Sequence, residues 1–72
     1  MTREELRRIL ASRTIRKDTY CLDGGLPNDA MCLNQRGKIW EVYYSERGGK
    51  FDLQVFHTEE EACESFYNRL ME

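Results

Sequence analysis

The chain predicts an α+β fold. Two layers are expected: a four-stranded antiparallel β-meander, and an N-terminal and a C-terminal helix together on one of its faces, in the order α-β-β-β-β-α. Three observations lead there. Ile39 to Phe56, IWEVYYSERGGKFDLQVF, is two apolar, β-rich runs around Gly48-Gly49, and paired glycines suit a type I′ turn, which needs positive φ at both central positions. A Thr followed three residues later by Glu opens two helical stretches, at Thr2/Glu5 and Thr58/Glu61; this is the capping-box pattern. A meander with one apolar face and two amphipathic helices closes most economically as two layers.

Thr2 to Ala11 reads as the first helix, with Leu6, Ile9 and Leu10 as a narrow apolar stripe. Ser12 to Asp18 reads as a connector in which Ile15 anchors to the core. Thr19 to Leu22 is expected as a short strand, Tyr20 and Leu22 on one side and Cys21 on the other. Asp23 to Asp29 is a loop by composition. Ala30 to Asn34 follows as a strand, and a turn at Arg36-Gly37 places Leu33 opposite Trp40 and Met31 opposite Val42. Antiparallel pairing of the first two strands would set Cys21 opposite Cys32. With Gly48-Gly49 as the loop, Tyr44 faces Leu53, Val42 faces Val55 and Trp40 faces His57. The expected core face is therefore Trp40, Val42, Tyr44, Leu53 and Val55. Glu41, Tyr43, Gln54 and Phe56 fall on the other face, because side chains alternate along a strand. The last helix starts at Thr58 and buries Ala62, Cys63, Phe66 and Leu70, with Tyr67 beside them.

Seventy-two residues are expected to make one domain, residues 1–72. One third of the residues are charged and the net charge is −2, which gives no general attraction to nucleic acid or to a membrane surface. No apolar run approaches a membrane span, and the N-terminus has no signal-peptide pattern. Three cysteines without a secretion signal suggest a reducing compartment, so a cytoplasmic location is expected.

Catalytic chemistry finds little to stand on. The glycines at 24 and 25 fit neither a phosphate loop nor a dinucleotide fingerprint. His57, the only histidine, directly precedes a helix cap. A nucleophilic pair with Cys63 would need a third positioning group and an oxyanion site. Cys21, Cys32 and His57 lack the spacing of a dependable metal site. No catalytic residue, cofactor or metal is assigned. The sheet face with Glu41, Tyr43, Gln54 and Phe56 has no helix left to cover it. Its mix of polar and aromatic side chains suits a protein partner or a second copy of the chain, and equally a solvated sheet face. The acidic helix start, Glu59, Glu60 and Glu61, is a second candidate contact for a basic partner, beside its plain role at a positive helix N-terminus. An alternative is a nucleic-acid-associated domain using the basic segment Arg3, Arg7, Arg8, Arg13, Arg16 and Lys17.

The α-β-β-β-α tail resembles the double-stranded RNA-binding domain in topology alone. The lysine-rich helix start that such domains present to phosphates is replaced here by Thr58-Glu59-Glu60-Glu61. The string WEVYYSERGGKFDLQVFHTEEEACESFYNRL carries a closer likeness. Its aromatic strand, Glu46-Arg47-Gly48 turn, Phe56 and Thr-Glu-Glu-Glu-Ala-Cys helix start resemble small bacterial domains of unknown function. Some of these look like immunity proteins encoded beside polymorphic toxins. The likeness covers roughly Tyr20 to Leu70. It implies a non-enzymatic protein that works by binding another protein, a basic toxin in the immunity case.

Overall fold

The computed structural model describes residues 1–72. Helix α1 (Arg3–Ala11) leads through a single 3₁₀ turn (Lys17–Thr19) into β1 (Tyr20–Cys21), β2 (Ala30–Arg36), β3 (Ile39–Glu46), β4 (Gly49–Phe56) and helix α2 (Glu59–Met71). The strands form one sheet in sequential order, and with the two helices this is an α+β fold. No helix is long and apolar enough to cross a membrane.

The sheet is mixed, where a wholly antiparallel meander was expected. β1 runs parallel to β2, with Tyr20 beside Met31 and Cys21 beside Cys32. The cysteines are cross-strand neighbours as expected, but in strands of the other relative direction. The reason lies in the segment Leu22 to Asp29, which does not close a hairpin. It first continues along β2, where the Gly24 N–H donates to the Leu33 carbonyl at 3.0 Å. It then returns across the sheet, where its carbonyls at Gly25 and Pro27 accept from Tyr43 and Ser45 of β3 at 2.6 Å each. Positive φ at Gly24 and Gly25 (72° and 87°) permits the reversal.

The two hairpins depart from their expected registers in instructive ways. Between β2 and β3 the loop is Gly37-Lys38, so Leu33 faces Val42 and Met31 faces Tyr44. Positive φ at Gly37 but not at Lys38 fits a type II′ turn. The slip is two residues, so every side chain keeps its face. Between β3 and β4 the loop is Arg47-Gly48, both at positive φ (52° and 76°), and Glu46 faces Gly49. Tyr44 then faces Phe51, but Val42 faces Gln54 and Trp40 faces Phe56. Two residues of β4 therefore oppose Tyr43 alone. This is a β-bulge, and Asp52 holds it with φ of 53°, a conformation Asp tolerates better than most residues.

The bulge reverses the rest of β4. Leu53 and Val55, expected in the core, are 45% and 51% exposed on the side away from the helices. Phe56 and Gln54, expected on that far side, lie on the helix side, and Phe56 packs against the core. The bulged register thus turns the larger aromatic side chain inward and the smaller valine outward. Arg69 Nη1 donates to the Val42 carbonyl at 3.4 Å beside the bulge.

The core is one cluster built from Leu6 and Leu10 of α1, Ala62, Cys63 and Phe66 of α2, and Leu22, Leu33, Trp40 and Val42 of the sheet. Both helices therefore cover the same face, as expected. Ile15, Tyr20, Tyr67 and Leu70 pack on its margin. The capping box at Thr2 is complete: Glu5 N–H donates to Thr2 Oγ1 at 3.1 Å and Thr2 N–H to Glu5 Oε1 at 2.8 Å. At Thr58 only half of the box forms. Glu61 N–H donates to Thr58 Oγ1 at 3.1 Å, and the Glu61 carboxylate accepts from that hydroxyl rather than from a backbone N–H.

Candidate protein-binding surface

The sheet face opposite the helices is only partly open. The returning segment Gly25–Pro27 lies over Tyr43 and Ser45, both fully buried. Burial pushes the Tyr43 phenol up to about 12 and the neighbouring Cys32 thiol up to about 11.

Glu41 is also buried, at 2% exposure. Asn34 Nδ2 donates to its carboxylate at 3.0 Å and Lys50 Nζ at 3.2 Å, with Arg36 Nη1 at 3.7 Å. The Asn34 hydrogen bond is the main cause that holds the Glu41 carboxyl below its ordinary value, against desolvation; Lys50 adds to it. Lys50 also lies over the Tyr43 ring, 4.7 Å from its centroid. A buried carboxylate is tolerated only with such partners. Asn34, Glu41, Lys50 and Tyr43 therefore form a structural network. Glu41 and Tyr43 are buried, and the expectation that this end of the face lies uncovered is corrected by the returning loop.

What stays open is β4. It is the edge strand of the sheet, and its residues from Lys50 to Val55 are exposed. Leu53 and Val55 make an apolar strip on one side of it. On the other side an open groove of about 730 Å³ runs between β4 and α2. Asp52, Gln54 and Phe56 line it from the strand, and Glu61, Glu64, Ser65, Asn68 and Arg69 from the helix. Ser65 Oγ reaches Gln54 Oε1 across it at 3.3 Å. Arg69, its one cation, is turned toward the Val42 carbonyl, and against its single positive charge the carboxylates of Asp52, Glu61 and Glu64 leave the groove net acidic.

The expected surface residues therefore separate. Gln54, Phe56 and Glu61 come together in the groove. Glu60 is exposed outside it. Glu59 is engaged within the molecule, its carboxylate accepting from the Arg3 N–H at the start of α1 at 2.7 Å. The N-terminal ends of the two helices meet here: a carboxylate from α2 caps the N-terminus of α1, where negative charge is favoured. Asp52, Leu53, Val55 and Glu64 were missed. The Glu61-Glu64-Ser65-Asn68 spacing does mark one polar stripe on a helix, which was a signal available in the sequence.

The other chemistry-bearing residues lie apart. Cys63 is fully buried, and burial pushes its thiol up to about 11, so it carries almost no thiolate at neutral pH. His57 is exposed. Much of the basic segment is engaged: Arg7 with Asp23 and Glu4 at 3.0 and 3.2 Å, Arg16 with Asp18 at 2.8 Å. Arg3 and Arg13 lie over Trp40 and Tyr67 at 5.4 and 5.7 Å. Comparison of the chain with protein-family models, with curated proteins and with solved structures found no match.

Proposed function

We propose that the chain is a protein-binding module that works without turnover, in the manner the likeness to small bacterial immunity proteins implies. The observation that carries this reading is the juxtaposition at β4. An exposed edge strand of eight residues bears an apolar strip on one side and an acidic groove on the other, whereas the sheet's other edge, β1, is only two residues long. Apolar side chains beside polar rims are the composition of interfaces. The carboxylates favour a basic partner and speed its encounter, a contribution that fades with salt. The reading puts the chain at work in the cytoplasm, and its three free thiols support a reducing compartment.

The test is binding to the basic product of a neighbouring toxin gene. Wild type is compared with Leu53→Asp/Val55→Asp and with Glu61→Lys/Glu64→Lys. The expected result is a complex with wild type that both double variants weaken. A complex that both variants keep at full strength would place the interface elsewhere. Salt-dependent binding to DNA or RNA that maps to Arg8, Arg13 and Lys17 would favour the nucleic-acid reading instead.

A further inference from the structure

We infer that the partner is captured by strand addition: an extended segment with alternating basic and apolar side chains pairs with β4 along Leu53–Phe56. The inference rests on the protein-binding reading above and names its mode. A strand added to an open sheet edge gains main-chain hydrogen bonds, and its alternate side chains fall on opposite faces. On β4 those two faces differ in chemistry. One carries Leu53 and Val55, both about half exposed. The other opens into the groove where Asp52, Glu61 and Glu64 stand. An added strand would therefore set every second side chain against apolar surface and the others toward carboxylates. Lysine or arginine alternating with an aliphatic residue matches that order.

The bulge fixes where the ladder forms. Asp52 in the left-handed region interrupts the strand, so Gly49–Phe51 and Leu53–Phe56 do not form one straight edge. The four residues after the bulge, about 13 Å long, are those beside the groove. Charge also selects against a second copy of this chain as the added strand. Two β4 strands paired about a two-fold axis would continue the helix side of one sheet into the other. That arrangement would merge two grooves that each hold Asp52, Glu61 and Glu64, and like charges facing each other are disfavoured.

The experiment titrates isotope-labelled protein with three synthetic probes and follows backbone amide shifts and hydrogen exchange. The first probe is a peptide alternating Arg and Val, the second alternates Glu and Val, and the third is the Arg/Val peptide N-methylated at every backbone amide. The expected result is binding by the first alone, with shifts and slowed exchange at Leu53–Phe56. Glu61→Lys/Glu64→Lys, both exposed positions whose fold the same spectra check, should weaken it by about tenfold, from two weak attractions turned into repulsions. Equal binding of the N-methylated peptide would overturn strand addition while leaving a groove-binding module intact. Failure of the Arg/Val peptide to bind, or binding that maps to another surface, would overturn the inference. The toxin-binding measurement then decides separately whether the chain binds a protein at all. A mass that rises with protein concentration and shifts at β4 without any peptide would make a second copy the occupant, against the inference.

Discussion

Gly24→Ala tests whether the returning loop organises the far face of the sheet. A methyl built on Gly24 would lie 2.3 Å from Asn34 Oδ1 and 2.9 Å from its Cγ. The φ of +72° adds strain for any side chain, of about 1–2 kcal/mol. Asn34 must also move, and it is the hydrogen-bond donor closest to the buried Glu41 carboxylate. Leaving a buried acceptor short of a partner costs about 1–3 kcal/mol. The total loss expected is about 2–5 kcal/mol, read as a shift of the urea midpoint at constant slope. Gly25→Ala is the matched control: its φ is +87° and nothing lies within 4 Å of the added methyl, so it should cost the backbone part alone, about 1–2 kcal/mol. In an Asn34→Ala background Gly24→Ala should fall close to that value, because Oδ1 and Cγ are gone and only the Cβ of residue 34, at 3.3 Å, remains near the added methyl. Equal costs for Gly24→Ala and Gly25→Ala in the wild-type background would refute the placement of the loop against Asn34.

Further outcomes follow from the corrected register and from the buried groups. Val55→Ala, exposed by half, should change stability by no more than about 0.5 kcal/mol, while Phe66→Ala in the core should cost about 3–5 kcal/mol; a Val55→Ala loss as large as a core truncation would restore the unbulged strand. Arg47→Asn should raise the unfolding free energy by about 0.5–1 kcal/mol, seen as a higher melting temperature, since Arg47 sits at φ 52° in a type I′ position that Asn favours; a lowered melting temperature would contradict the Arg47-Gly48 turn. On the alkaline side Cys32 and Cys63 are raised from 9.0 to about 11 and Tyr43 from 10.0 to about 12. Their folded values exceed their unfolded ones, so their stabilisation is complete below pH 9 and is lost as pH climbs through 9–12. Glu41 is lowered, so its contribution is present above its ordinary value of 4.5 and is lost as pH falls through its folded value; urea midpoints across pH would show both flanks, and a flat profile above pH 9 would contradict the burial of the thiols.

Local rules predicted the helices well and the sheet edges poorly. Thr2/Glu5 and Thr58/Glu61 marked both helix starts because a cap is written within four residues. Leu6, Leu10, Ala62, Cys63 and Phe66 were legible from helical spacing, and all five are buried. The parallel β1 was not legible. Its direction depends on Gly25 and Pro27 meeting Tyr43 and Ser45, contacts 18 residues apart in the chain. The β4 inversion was hidden for a different reason. Phe51, Leu53 and Val55 alternate cleanly, and alternation alone assigns them to one face. The structure instead admits an extra residue at Asp52, and the alternation is broken where Phe56 competes with Val55 for the place beside Trp40.

That competition is also what makes the candidate surface. With unbulged pairing, Val55 would stand against Trp40 and Leu53 against Val42. Phe56 would then point away from the helix side, and the groove would lose its one aromatic lining residue. The bulge turns Phe56 to the helix side, where it packs against the core and lines the groove, and sends Leu53 and Val55 outward, so the one extra residue at Asp52 accounts for the apolar strip and the groove together. Asp52→Val is the sharpest probe of this coupling. A β-branched residue disfavours positive φ, and the strand can relieve the strain by returning to unbulged pairing. The expected outcome is Val55 protected from solvent and Phe56 newly exposed, seen in cross-strand nuclear Overhauser contacts of Trp40 that move from Phe56 to Val55, with binding by the Arg/Val peptide lost. Retention of the Trp40–Phe56 contact, with only a stability loss of about 1–3 kcal/mol, would show that the rest of the molecule imposes the bulge and that Asp52 merely tolerates it.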